Sequence, residues 1–422
     1  MLVILLPEAA KTIAAHNLAT LSVVHPTDGA FQHWLYMVMT DKAKCLGIVG
    51  GVIATVSLLV PLIAGALSDR CFSRWGRRRP YIAVGTIVSL LALVGMLISV
   101  SLCSFWGFLA SYCFVALGNN IATAAYSGVI PDLVPEDQRG IASGYMAMMS
   151  QVGTLVGAFA AGFICGSSIV AAYSVVIASI ALFAIFTLFG IKEYPLERKP
   201  APLKWGAYFR SLWIDPRKYP DFAWVWITRF LVMLGFYAIE PYIIYYLHDV
   251  VGVSNPVVIA PVLLGLILVG ATFSGIYGGS LSEKIGRKKV VYISSIIMSI
   301  MCFGLMFART LPVVLLVGIL FGLGYGAYVS VDWALGTDVL PNKEDSGKDM
   351  AVWHISMTLP QSITPVLAGY WLLPAFGSRP YTDAAGEITT QYDPRGYMAV
   401  FFMAVVFFVL GAFLLKNVKK VK

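Results

Sequence analysis

The sequence predicts an all-α polytopic membrane protein built from two similar helical halves. Three observations carry this. First, only 12% of the 422 residues are charged, 59% are hydrophobic, and the mean hydropathy is +0.80. Soluble domains carry about twice that share of charge. Second, apolar runs of about 20 residues recur along the chain, each long enough to cross about 30 Å of hydrocarbon. They do not alternate with the period of two that barrel strands require. Third, one unusual loop occurs twice. Gly65-Ala66-Leu67-Ser68-Asp69-Arg70, then five residues, then Gly76-Arg77-Arg78-Arg79-Pro80 is echoed by Gly279-Ser280-Leu281-Ser282-Glu283-Lys284-Ile285-Gly286-Arg287-Lys288-Lys289.

The pattern places spans at about 45–67, 81–102, 104–127, 141–165, 168–190, 222–247, 257–280, 290–308, 311–335, 350–374 and 396–415. Ahead of them Met1–Leu6 is apolar but too short to span, and 15–40 reads as a loop. Lys and Arg orient the spans. Twenty-three of the thirty fall in the loops at 68–80, 128–140, 191–221, 281–289 and 338–349 and in the C-terminal tail. That side is expected to be cytoplasmic. The net charge of +8 is therefore read as a topology signal, with no nucleic-acid partner. The six cysteines show no CxxC or metal spacing and are read as packing residues.

The repeat extends past the loops. Asp132-Leu133-Val134-Pro135 matches Asp338-Val339-Leu340-Pro341, and Gln151 and Thr154 match Gln361 and Thr364. Five spans of one half thus correspond to five of the other. The span 222–247 lacks a counterpart, which would be a first helix truncated or missing here. The expected parent has twelve spans in two six-helix halves related about the membrane normal, of which about eleven are complete. The expected division is an N-terminal remnant (1–40), a first half (41–190), a proline-rich cytoplasmic linker (191–221), a second half (222–415) and a basic tail (416–422). Part of the linker, Trp205–Trp213, fits a short interfacial helix.

This layout, with the Gly-x-Leu-Ser-Asp-Arg…Gly-Arg-Arg loop, resembles the major facilitator superfamily. The longer Arg74-x-Gly76-Arg77-Arg78-Arg79-Pro80 form resembles the sucrose-transporter and glycoside–pentoside–hexuronide:cation symporter branch. The resemblance implies secondary active transport by alternating access, a sugar-like substrate and H+ as coupling ion, with no cofactor. It also implies a gating role for Gly65, Asp69, Arg70, Gly76, Arg77, Gly279, Glu283, Lys284, Gly286 and Arg287. Asp69 in particular is expected to accept hydrogen bonds from a facing helix N-terminus, whereas Arg78 and Arg79 read as topology charges.

Ionisable residues within spans are costly and therefore functional candidates. Arg229 and Asp332 sit at similar depth and are expected to pair; the competing reading is a snorkelling arginine and a static packing acid. Glu240 precedes Pro241 and, with Tyr242, Tyr245 and Tyr246, reads as a solvated interface acid in an aromatic belt or as a gate. Asn119, Asn120, Gln151, Gln361 and Trp333 suit a hydroxyl-rich ligand, since amides both donate and accept and an indole can stack. Packing explains many of these equally well. The glycine pairs Gly153/Gly157, Gly275/Gly279 and Gly318/Gly322 are expected to permit close helix approach.

No HExxH, GxSxG or P-loop is present, so a membrane enzyme is not expected. The leading expectation is a monomeric plasma-membrane symporter. The rivals are an exporter of another metabolite or drug, and a transport-inactive truncated relative acting as a sensor.

Overall fold

The computed structural model of the chain describes residues 9–14, 41–129, 168–193, 204–339, 346–382 and 388–419, with short pieces between 133 and 164. Among the described residues, nine helices are long and apolar enough to cross a membrane. In order the helices are α1 (Lys42–Ser68), α2 (Arg79–Ser101), α3 (Phe105–Ser127), α4 (Ile169–Gly190), α5 (Trp205–Ser211), α6 (Pro220–Ile239), α7 (Ile243–Asp249), α8 (Pro256–Ile285), α9 (Arg287–Phe307), α10 (Leu311–Asp338), α11 (Ser346–Pro365), α12 (Leu373–Ala375) and α13 (Pro394–Leu414). The chain divides into two compact units. One comprises Val52–Phe209; the other comprises Leu2–Gly51 with Arg210–Lys422.

Helix starts follow local chemistry. Ser104 and Ser168 cap α3 and α4 through side-chain oxygens that accept from Gly107 N and Ala171 N. Asp41 does the same for α1, accepting from Ala43 N at 3.0 Å and Lys44 N at 3.1 Å. Proline occupies the first turn of α2, α6, α8, α10 and α13, where its missing N–H costs nothing.

Three features were not expected from the sequence. The loop 376–394 carries an antiparallel hairpin of β1 (Ser378–Thr382) and β2 (Ile388–Tyr392). Residues 9–14 are helical, and Ala9, Ala10, Ile13 and Ala14 are buried. A third is local: after Pro365 the helix widens into a π-helical turn over Val366–Leu372. The Pro365 carbonyl accepts from the Tyr242 hydroxyl at 2.7 Å, so a side chain satisfies a backbone group at the irregular turn.

Glycine sets the closest helix crossing of the second unit. A Cβ at Gly270 would strike the Ile319 carbonyl, at Gly322 the Ile267 carbonyl, and at Gly326 the Ala271 carbonyl. So α8 and α10 touch backbone to backbone along a stripe of small residues, which includes the expected Gly322. In the first unit Gly85 and Gly118 do the same between α2 and α3. Gly275 is looser, with 3.6 Å to the Gly326 carbonyl. Gly326→Val is therefore expected to destabilise the purified protein by at least about 1–3 kcal/mol, the usual range for overpacking. Gly275→Ala should be close to neutral. Thermal unfolding of the two variants in detergent measures the contrast, and equal melting temperatures would contradict the close crossing.

Candidate functional site

In the first unit the repeated loop is organised by Arg78. Its guanidinium is buried and ion-paired with Asp69, and it donates to Ser68 Oγ at 2.6 Å. It also lies against Gly128, where a Cβ would strike it. Gly128 caps the C-terminal end of α3, where a cation is favoured by the helix dipole. Reading Arg78 as a topology charge is thus corrected: the sequence shows only that it is basic, while burial makes it the hub of the loop.

The expectation for Asp69 is also revised. The carboxylate that receives helix N-terminal N–H groups is Glu193, just beyond α4. Its oxygens accept from Arg78 N at 3.0 and 2.9 Å and from Arg79 N at 3.1 Å, at the start of α2. Gly76, with φ +92°, makes the turn and leaves room for the Glu193 side chain, which any Cβ there would strike. Gly65 lies inside α1, its carbonyl accepting from Ser68 Oγ at 3.1 Å. Arg70 is exposed and Arg77 half-buried. Tyr208 of α5 donates to the Leu62 carbonyl at 3.0 Å, tying the linker helix to α1.

The second copy repeats the backbone and changes the pairing. Gly286 has φ +96° and joins α8 directly to α9. Arg287 Nη1 meets Asp338 Oδ2 at 2.6 Å, at the end of α10. Lys284 is exposed. Gly279 lies within α8; the side chain of Glu283 lies outside the described residues.

The structure brings Arg229 of α6 and Asp332 of α10 together, with Nε 3.2 Å from Oδ2, both side chains almost fully buried. Tyr328 donates to Asp332 Oδ1 at 3.2 Å, one helical turn earlier. Arg229 Cζ stands 4.6 Å from the ring centroid of Trp353 on α11, a cation–π arrangement. An Arg229 amino group also lies 3.7 Å from Met357 Sδ. Gly336 makes room for Trp353, since a Cβ there would strike the indole. Nearby on the same helices, Gln361 Nε2 donates to the Tyr237 hydroxyl at 2.7 Å. Three helices of one unit thus present a charged pair, a phenol, an indole and an amide.

Other candidates scatter. Asn120 donates to Ser57 Oγ at 3.0 Å and to the Ala116 carbonyl at 2.7 Å, within the first unit. Asn119 is exposed. Gln151 and the side chain of Trp333 lie outside the described residues. The aromatic-belt reading around Glu240 is overturned. The helix runs on from α6 through a short 3-10 stretch at Glu240–Tyr242 into α7, and Tyr242, Tyr245 and Tyr246 are buried within the unit. Tyr246 donates to the Leu305 and Ala308 carbonyls at 2.9 Å each. Glu240 is half-buried and lines an apolar cavity.

Sequence reasoning missed a second polar cluster. Lys42, at the start of α1, meets Asp249 Oδ1 at 3.4 Å, and both are buried. Asp249 also receives Tyr397 Oη at 2.6 Å and Tyr392 N at 3.2 Å on Oδ2, and His248 Nδ1 lies 2.8 Å from Oδ1. The Tyr392 hydroxyl donates to Asp41. Burial and the Asp41 carboxylate push that phenol well above its ordinary pKa, so it stays a donor. The partners come from segments more than a hundred residues apart, so no local signal marks the cluster.

Comparison with known proteins places this geometry. The Major Facilitator Superfamily family model matches residues 37–345 and 269–421, and the chain belongs to that superfamily. It is an integral, multi-pass membrane protein. The multidrug resistance protein MdtG of Escherichia coli is 24% identical over 264 residues, 61% of this chain. The match spans 62% of the length of that relative. Among solved structures, a D-xylose–proton symporter is 17% identical with a TM-score of 0.66, covering 99% of this chain and 96% of that one. The nucleoside transporter NupG, in a mutant form, is 12% identical with a TM-score of 0.65, covering 99% of each. A bacterial homolog of the human lysosomal transporter Spinster, inward-facing and unoccupied, is 16% identical with a TM-score of 0.66, covering 98% and 95%. These likenesses show a shared fold.

The Arg229–Asp332 pair yields a stability test. Removing one partner strands a buried charge, which costs about 3–5 kcal/mol. Arg229→Met and Asp332→Leu should each destabilise strongly, while the double variant should fall well short of their sum. A double-mutant cycle on unfolding of the purified chain reads this, and strictly additive effects would contradict a coupled pair.

Proposed function

We propose that this member of the superfamily is a secondary active transporter that moves a small polar solute of sugar type by alternating access. Protons drive it in symport, and it works as a monomer in the plasma membrane. The basic loops and the C-terminus face the cytoplasm under the positive-inside rule. The observation that carries the reading is the buried Arg229–Asp332 pair with its aromatic and amide neighbours. A buried acid held by one arginine and one phenol is a group whose protonation changes its partner's freedom. The Gln361 amide and the Tyr237 hydroxyl offer the donors and acceptors that a polyol needs, and the Trp353 indole supplies an apolar face. The fold is shared with sugar and nucleoside carriers, which is consistent with a hydroxylated cargo.

Export of a drug-like compound is the second reading. It is favoured by the curated relatives, which are named as multidrug resistance proteins. Direction separates the two. Symport fills the cell with sugar when the outside is acidified; export leaves uptake of the same sugar at background. A transport-inactive sensor gives neither sugar uptake nor drug efflux.

Uptake of radiolabelled sucrose, glucose and xylose into cells expressing the chain should rise severalfold from external pH 7.5 to 5.5 for the accepted sugar. Asp332→Asn should flatten that pH response while the protein still reaches the membrane. A pH response that survives Asp332→Asn would remove the acid from coupling. Separately, Asp69→Asn weakens the pair with Arg78 and should lower transport with surface expression intact. Unchanged uptake in Asp69→Asn would remove the proposed gate role of this loop.

A further inference from the structure

The Lys42–Asp249 cluster shares no residue with the Arg229 site, and it holds the first turns of α1. Leu2–Gly51 belongs to the second unit, while α1 continues from Val52 in the other. Over those first turns the helix packs closely. A Cβ at Gly47 would press on the Pro365 carbonyl, and one at Gly369 would strike the Ala43 carbonyl. At the tip, Lys42 Nζ stands 3.4 Å from Asp249 Oδ1, with both side chains buried. The ammonium also lies 4.7 Å from the ring centroid of Tyr245. Asp249 is fixed from its other side: Tyr397 Oη and Tyr392 N donate to Oδ2, and Gln391 Nε2 donates to its backbone carbonyl at 3.2 Å.

His248, in the last turn of α7, meets the same oxygen that Lys42 uses. Its Nδ1 lies 2.8 Å from Asp249 Oδ1, and its side chain is 21% exposed, whereas the lysine and the acid are buried. Imidazole is the side chain whose charge ordinarily changes between pH 5 and 8. Neutral, with its proton on Nδ1, it donates one hydrogen bond and leaves the carboxylate to balance Lys42. Protonated, it puts a second cation on Oδ1, beside an ammonium that burial shields from water. The surrounding groups do not absorb that charge. Asp41 already receives the Tyr392 hydroxyl and caps α1. Lys11 adds a further positive charge acting on Lys42. Tyr381 of β1 stands edge-on to the imidazole, with centroids 5.3 Å apart. It and the phenols of Tyr245, Tyr392 and Tyr397 ordinarily stay neutral in this range.

We propose that His248 is a proton-responsive positioning residue: its protonation displaces Lys42 from Asp249 and loosens the first turns of α1 within the second unit. Acid thus loosens this end of α1, and neutral conditions tighten it. The glycine packing carries no charge, so the ion pair is the part of the hold that a proton switches. On the orientation proposed above, this end faces outward, and the external acid that drives symport also unlocks the helix there. That link rests on the symport reading; the pH response of the cluster does not.

The test is hydrogen–deuterium exchange by mass spectrometry on the full chain in nanodiscs at pH 5.5 and 7.5, with rates corrected for the intrinsic pH dependence of amide exchange. In the wild type, protection over 43–51 should fall about tenfold at pH 5.5, within the usual range for coupled groups. Peptides from α8 and α10 should stay unchanged and report an intact fold. His248→Gln should keep protection over 43–51 high at both pH values. Lys42→Met should invert the response, because protonated His248 then supplies the counter-charge that Asp249 lacks. A pH-independent wild type overturns the proposal, and so does a response that survives His248→Gln. A response of unchanged sign in folded Lys42→Met overturns it as well; where that variant loses protection in α8 and α10, His248→Gln decides alone. Absence of sugar uptake with the His248 response intact would sink the symport reading and leave this one standing.

Discussion

In hydrocarbon there is no water to complete a charge or a backbone group, so each must find its partner inside the protein. The buried Arg229–Asp332 pair meets that demand across two helices, and its consequences spread. Tyr328 is held one turn from Asp332 to fill a further acceptor position. Trp353 is drawn over the guanidinium, and Gly336 must stay without a side chain for the indole to fit. Trp226 in turn donates to the Val352 carbonyl at 2.9 Å, fixing α11 against α6. One ion pair thus dictates residue size and donor placement on three helices. The same demand explains the Lys42–Asp249 cluster and the tyrosine hydroxyls that close onto carbonyls at the π-helical turn and at the end of α9.

Lipid supplies little apolar drive for helix association, so contact must come from shape. The glycine stripe between α8 and α10 supplies it, because carbonyls of one helix occupy the space that side chains of the other would need. This rigid crossing bears on the site. Asp332 lies on α10 only a few residues beyond Gly326, so its position is set by backbone contact with α8 rather than by a flexible loop. A charged pair placed on such a scaffold keeps its geometry without help from solvent.

How far the sequence speaks follows from where partners lie. Spans were legible because hydrophobicity and length are local properties, and the approach of Arg229 to Asp332 was legible because equal depth follows from helical rise alone. The close-packing role of Gly322 was visible as a small-residue spacing. What escaped was long-range. Glu193 looks like one more charge of a polar linker, and only the fold carries it to the start of α2. Asp249 looks like a helix-end acid, yet its partners come from residues 42, 392 and 397. The tyrosines after Glu240 have the composition of an interfacial belt; their burial comes from distant partners, the Pro365 carbonyl for Tyr242 and the Leu305 carbonyl and Phe401 ring for Tyr246.

The two copies of the repeated loop show which part of the motif is backbone and which is chemistry. Gly76 and Gly286 occupy matched positions and both take a φ that other residues rarely adopt. That conformation lets the chain turn back into α2 and α9 within a few residues. The charges around it then diverge. The first copy buries an arginine against Asp69 and Ser68 and borrows Glu193 for the helix end. The second leaves Arg287 part-exposed on Asp338. The described pairings thus differ between the copies: Arg78 meets Asp69 in one, and Arg287, the counterpart of Arg77, meets Asp338 in the other. The glycine turn is therefore the device that both copies share, while the described ion pairs follow the neighbours that each unit offers.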